Sequence, residues 1–110
     1  MPEKIHVKMI EIWINCPDKE TARKISDSLI SNRRVACSNI YSKIQSCYRW
    51  KGEIENQAEI PLLLKTREEN FSLVVDDVRK IHPYEVPSII GLPVELVNKE
   101  YLAWIYNETE

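Results

Sequence analysis

Between Ile5 and Asn15 apolar and polar positions nearly alternate: Ile5, Val7 and Met9 against His6 and Lys8, then Ile10, Ile12 and Ile14 against Glu11, Trp13 and Asn15. The β-branched content and the period of two predict a strand, and the change of phase at Met9 and Ile10 predicts a bulge or a segment covered on both sides. Pro17 ends it. Asp18 then stands as a helix N-cap, with Ala22, Ile25, Leu29 and Ile30 at helical spacing and Lys19, Arg23, Lys24 and Asp27 on the other face. This helix is expected to stop at residues 32–34, where Arg33 and Arg34 suit its negative end.

A second period of two starts at Val35 and runs on through Tyr41, Ile44, Ser46, Tyr48 and Trp50, beyond the length of an ordinary strand. Lys51-Gly52 predicts the turn, and residues 53–65 predict the return strand of a long hairpin. Pro61 cannot donate to a sheet ladder, so it is expected at an edge or a bulge. Thr66-Arg67-Glu68-Glu69 reads as a capping box with a solvated first turn, followed by Phe71, Val74, Val78 and Ile81 on one helical face. A short apolar strand over 88–94 and a last helix capped by Asn98, with Tyr101, Leu102 and Ile105 inward and Trp104 nearby, complete the chain. Right-handed crossovers turn this order into an α+β, ferredoxin-like βαββαβ sandwich, with both helices on one face, a long hairpin and an extra C-terminal helix.

That hairpin is longer than the other strands can cover, so its far half, with Tyr48 and Trp50, predicts an exposed apolar ribbon that pairs with neighbouring subunits. At 110 residues, 44% of them hydrophobic, residues 1–110 form one domain. Fifteen Lys and Arg against seventeen Asp and Glu give a charge of -2 and no basic stripe, which argues against nucleic acid and anionic membranes as partners. The N-terminus alternates charge and apolarity, and no run approaches a membrane span, so the expected location is cytoplasmic. Cys16, Cys37 and Cys47 are odd in number and hold no CxxC pair, which speaks against a disulfide framework. Two glycines, Gly52 and Gly91, leave no phosphate-cradling loop.

The densest chemistry lies in His82-Pro83-Tyr84-Glu85-Val86-Pro87, where two prolines stiffen a bend carrying an imidazole, a phenol and a carboxylate. Together with Cys16-Pro17-Asp18, Ala36-Cys37, Asn39-Ile40, Trp50-Lys51-Gly52, Lys65-Thr66, Leu92-Pro93-Val94 and Tyr101-Leu102, this motif resembles the CutA family, the divalent-cation tolerance proteins, over about residues 11–105. The resemblance implies a ferredoxin-like subunit, a homotrimer similar to the PII-type signalling trimers, a cytoplasmic location and a link to copper and other divalent cations. The chain departs from the family pattern at Ser42-Lys43, where a Pro-Gly pair is common, and at Pro61. At the positions of copper ligands proposed for the family stand Ile14, Ile81 and His82, with Cys16 close enough to substitute for the missing thiol.

Two readings of the function stay open. In the first, His82, Cys16 and Glu85 hold copper or another divalent cation. In the second, Cys37, Asn39, Trp50, Glu59, Lys65 and Tyr84 line a subunit-interface cleft for a small anionic or zwitterionic ligand in a PII-like sensor, or else form an interfacial network in which Glu59 and Lys65 pair. An enzyme is not expected, because no spacing typical of a nucleophile with its base is present.

Overall fold

A computed structural model describes residues 8–110; the expected start of the first strand at Ile5 lies outside them. Strand β1 (Met9–Cys16) leads to helix α1 (Lys19–Ser31), then β2 (Cys37–Ile40), β3 (Ile44–Trp50) and β4 (Glu53–Arg67). A 3-10 turn (Glu68–Asn70) opens α2 (Phe71–Ile81), and β5 (Ile89–Val94) and α3 (Lys99–Glu108) follow. The sheet is antiparallel in the order β2-β4-β1-β5, and β3 continues the ladder along the outer half of β4.

The even-numbered side chains of β1 point into the core. Ile10, Ile12, Ile14 and Cys16 meet Leu62 and Leu64 of β4, Ala22, Ile25 and Leu29 of α1, and Val74 and Val78 of α2. Both helices therefore cover one face. Each fully buried isoleucine or leucine there contributes roughly 1.5–3 kcal/mol. Met9 and Ile10 are both buried although they point to opposite faces. Their register runs without interruption against Arg67 and Thr66, so the change of phase in the sequence reflects double cover and no bulge. On β5, Gly91 is required by close approach, since a Cβ there would come within 2.8 Å of the Phe71 ring.

Asp18 caps α1 by accepting from the Thr21 amide at 2.7 Å, and that bond holds its carboxyl below the ordinary value. Ile30, expected on the inner face, is instead 39% exposed, because the helix ends one residue later and its last turn has left the sheet. The Arg33 guanidinium serves a different helix end from the one expected: it donates to the carbonyls of Asn107 and Glu108 at the C-terminus of α3.

The long second strand is in fact broken. Ile40 pairs with Leu62 and Ile44 with Glu59, so residues 41–43 face only Ile60 and Pro61. Pro61 explains the position of the break. Its carbonyl accepts from the Tyr41 amide at 2.9 Å, so its ring nitrogen, on the same side of the strand, faces the outer edge where no donor is needed. The bulge alternative for Pro61 is the one realised, in the middle of β4. At the tip, Lys51 (φ 49°) and Gly52 (φ 83°) form the two-residue, left-handed turn expected there.

Two caps differ from expectation. Thr66 belongs to β4 and is fully buried. Its hydroxyl donates to the Arg34 carbonyl at 2.6 Å instead of closing a capping box. Arg67 likewise is a strand residue, bonded to Thr109 and to the Tyr106 carbonyl, and not part of a solvated helical turn. Asn98 occupies the N-cap position of α3 without a side-chain cap; its amide donates to Glu100. Ile105 is the buried anchor of α3, Tyr101 and Leu102 are half-buried, and Trp104 is 41% exposed.

Candidate functional site

His82 ends α2 in extended geometry, as a residue before proline must, and its ring turns inward until only 6% is exposed. The Tyr84 amide donates to Nδ1 at 3.2 Å. Nδ1 is therefore the unprotonated nitrogen, and Nε2 carries the proton that it donates to the Asn15 carbonyl at 2.9 Å. The imidazole and the Tyr84 ring meet edge to face, 4.6 Å between centroids. These contacts aim the phenol at β4.

From there a directional chain of hydrogen bonds crosses the sheet. Tyr48 donates to Gln57 Oε1 at 2.6 Å, Gln57 Nε2 donates to the Tyr84 oxygen at 2.7 Å, and Tyr84 donates to Glu59 Oε2 at 3.0 Å. Burial first, then the bond to Glu59, pushes the Tyr84 phenol well above its ordinary value, so it remains a donor. Glu59 is 6% exposed. Among the described residues no Lys, Arg or His nitrogen lies within 4.0 Å of it. It borders an open cleft of about 370 Å³ whose walls include Ser46, Tyr48, Tyr84, Val86 and Ser88. On its other side Glu59 borders a smaller cleft of about 240 Å³ that also touches Lys19 and Lys43.

Within one chain, the residues expected to share a subunit-interface cleft lie in three places. Glu59 and Tyr84 meet as described. Cys37, Asn39 and Lys65 lie at the other end of the sheet: Cys37 pairs with Lys65 across the ladder. Cys37 Sγ lies 4.0 Å from Asn39 Oδ1, and Lys65 Nζ lies 5.7 Å from the centre of the Tyr101 ring. Burial, then the neighbouring Cys37, pushes the ionisation of the Tyr101 phenol up. Lys65 and Glu59 are six residues apart on one strand, about 20 Å, so the expected ion pair does not form within the chain. Trp50 sits at the hairpin tip, its ring 5.4 Å from Lys51 Nζ.

Nor does a single chain assemble His82, Cys16 and Glu85 as a ligand set. Both imidazole nitrogens are committed. Cys16 is fully buried, and burial, then the carboxylates of Asp18 and Glu59, pushes its thiol up to about 12. Glu85 is exposed and faces Lys51 at 3.5 Å. Among the described residues no group of three or more His, Cys, Asp or Glu is placed to hold a metal ion. Sequence reasoning missed Gln57 and Asn15 altogether and took Tyr48 only as ribbon surface. The alternation that puts Tyr48 and Gln57 near one another through the Ser46 and Gln57 pairing was the available signal.

The strand order and the helices on one face define a ferredoxin-like subunit carrying an overlong ribbon. Residues 10–108 match the family described as CutA1 divalent ion tolerance protein, and the chain belongs to that family. It is 40% identical over 98 residues to the divalent-cation tolerance protein CutA of Thermus thermophilus, covering 89% of this chain and 95% of that one. It is 39% identical over 98 residues to human protein CutA, covering 89% of this chain but 55% of that protein; it thus spans about half the length of the mammalian relatives it matches. The periplasmic divalent cation tolerance protein CutA of Archaeoglobus fulgidus has the same fold, with a TM-score of 0.90 and 37% identity over 93% of this chain and 99% of that one.

Proposed function

We propose that this chain acts in divalent-cation tolerance as a homotrimer that binds a cation in the cleft over Glu59. The observation that carries the reading is the carboxylate itself: a buried charge with one hydrogen-bond donor and no cationic side chain of its own chain within 4.0 Å among the described residues, facing a cleft that is open in the single chain. Burying such a charge is costly unless something positive completes it. The sign of this charge favours a cation over a purely anionic ligand. Copper is the less suited ion, since the His82 imidazole is committed and the Cys16 thiol is buried, which leaves Cys47 as the soft ligand lining the cleft. No catalytic role is assigned.

The trimer rests on exposed apolar surface. Ile44, Tyr48, Trp50 and Ile54 on the ribbon are 40, 37, 36 and 63% exposed, and Ile90 and Leu92 on the open sheet face 53 and 45%. Sister chains cover such surface at the least cost. A cytoplasmic location agrees with three free thiols, Cys16, Cys37 and Cys47; no helix among the described residues is long and apolar enough to cross a membrane. A PII-like sensing role fits the same trimer and the same cleft, with the ligand as signal.

Titration calorimetry with Mg²⁺, Zn²⁺, Cu²⁺ and a small ammonium ion, on the wild type, Glu59→Gln and His82→Ala, tests the site. Binding of at least one cation is expected to disappear with Glu59→Gln and to survive His82→Ala. Cation binding lost only with His82→Ala would return the site to the imidazole.

A further inference from the structure

We infer that the site at Glu59 is completed by the next subunit of the trimer and that its occupant is a small zwitterion, with the ammonium end held by Glu59 of one chain and the carboxylate end by Lys65 of the partner subunit. This deepens the proposal that the site takes a cation in a homotrimer, and rests on it.

Strand β4 carries both charges on one face. Glu59 and Lys65 are an even number of positions apart, and the pairing of β4 with β1 runs without a slip from Arg67 to Ile60. Both side chains therefore lie on the side opposite Leu62 and Leu64, away from the helices. The registers put Ile90 and Leu92 of β5, and Tyr48 and Trp50 of the ribbon, on that same side. This is the face that sister chains cover, so neither charge is a free surface group in the assembly.

Neither has a counter-ion of its own chain. Among the described residues no Lys, Arg or His nitrogen lies within 4.0 Å of Glu59, and no carboxylate lies within 4.0 Å of the Lys65 ammonium. Glu11, opposite Lys65 on β1, accepts from the Trp13 indole instead. Six residues of one strand hold Glu59 and Lys65 about 20 Å apart. A ring of three is closed by contacts between unlike patches of neighbouring subunits. The contact in which both charges find an opposite sign sets Glu59 of one chain toward Lys65 of the partner subunit.

A direct ion pair is disfavoured because each group is drawn back into its own chain. Glu59 is 6% exposed and held by Tyr84. Lys65 is half-buried, its Nζ 5.7 Å from the centre of the Tyr101 ring, across the ladder from Cys37. Two recessed groups are bridged by a molecule that brings one charge for each. An amine alone would leave Lys65 unmatched on a covered face, and so would a metal ion held by Glu59 and Cys47; an anion alone would leave Glu59 unmatched. A zwitterion satisfies both. Tyr84 occupies one oxygen of Glu59 and leaves the other for the ammonium, beside Ser46 and Cys47.

The test uses the full chain in its native assembly, with glycine, β-alanine and γ-aminobutyrate as probes and n-butylammonium chloride and sodium butyrate as singly charged controls. At least one probe is expected to bind at least tenfold more tightly than either control, and to lose at least tenfold in affinity in Glu59→Gln and in Lys65→Met. Mixed trimers of the two variants, isolated by a different affinity tag on each, show whether the site is shared. Some of their interfaces join an intact Glu59 to an intact Lys65, so binding absent from either parent is expected to return, which also shows that both variants fold. Mixed trimers that bind no better than their parents overturn the inference. Failure of either variant to sediment as a trimer makes the two charges a structural pair and overturns the ligand. The inference falls as well if no probe binds more tightly than the controls: Glu59-dependent binding of butylammonium or a metal ion then leaves the cation reading standing, and cation binding that ignores Glu59, or none at all, overturns that reading too.

Discussion

Tyr84 donates its phenolic proton to Glu59 at 3.0 Å, joining the stiff bend after α2 to the middle of β4. The bond does two things at once: it satisfies one oxygen of a buried carboxylate, and it holds the bend against the sheet at the edge of the cleft.

Tyr84→Phe leaves that carboxylate short of a donor while keeping the ring. An unsatisfied buried acceptor costs about 1–3 kcal/mol, so the urea midpoint is expected to fall accordingly. Glu59→Gln keeps an acceptor for Tyr84 and removes the buried charge, so its stability is expected to stay within about 1 kcal/mol of the wild type. A Glu59→Gln variant much less stable than Tyr84→Phe would show that the carboxylate serves the fold and not a ligand.

The contrast with the sequence is instructive here. Local signals were legible: the Asp18 cap, the Lys51-Gly52 turn and the helical spacing of Val74 and Val78 depend on neighbours within a few positions. The failures depend on distant partners. Thr66 and Asn70 both donate to the Arg34 carbonyl, a contact more than thirty positions away that no capping pattern reveals. Gln57 matters only because register sets it opposite Ser46 and within reach of both Tyr48 and Tyr84. Glu59 and Lys65 lie six positions apart on one continuous strand, so any pairing of the two belongs between subunits and not within one.

Arg67 anchors the last helix. Its guanidinium reaches Thr109 Oγ1 at 2.8 Å, the Thr109 carbonyl at 2.9 Å and the Tyr106 carbonyl, and it stacks over the Tyr106 ring at 4.5 Å. Arg67→Lys keeps the charge but not the planar fork. It is expected to cost about 2 kcal/mol, from hydrogen bonds worth roughly 1–1.5 kcal/mol each, and to speed amide exchange across α3 selectively. Exchange accelerated evenly over all helices would argue against a local anchor.

Trp50 and Ile54 stand on the ribbon at 36 and 63% exposure. If sister chains cover them, Ile54→Lys together with Trp50→Glu places charges inside that contact. The expected result is a shift in sedimentation from trimer to smaller species at micromolar concentration, with stability becoming dependent on protein concentration. Exposed positions on a true monomer would tolerate both changes within about 0.5 kcal/mol, and an unchanged trimer would move the interface off the ribbon.

Cys16 makes stability depend on alkaline pH. It closes β1, fully buried opposite Ile60, and burial, then Asp18 and Glu59, pushes its thiol up to about 12. In the unfolded chain the same thiol ionises near 8.5. Between those values the unfolded state has released a proton that the folded state still holds, so stability is complete below about pH 8.5 and declines as pH rises toward 12. The loss reaches a few kcal/mol at the top of that window by linkage. Cys16→Ala removes the titrating group: it is expected to be less stable at pH 7, by about 1–2 kcal/mol for the small cavity left, yet to lose less between pH 8.5 and 10.5. Urea midpoints of both proteins across that interval give the comparison. Parallel slopes would mean that the alkaline loss comes from other groups and that Cys16 is a passive packing residue.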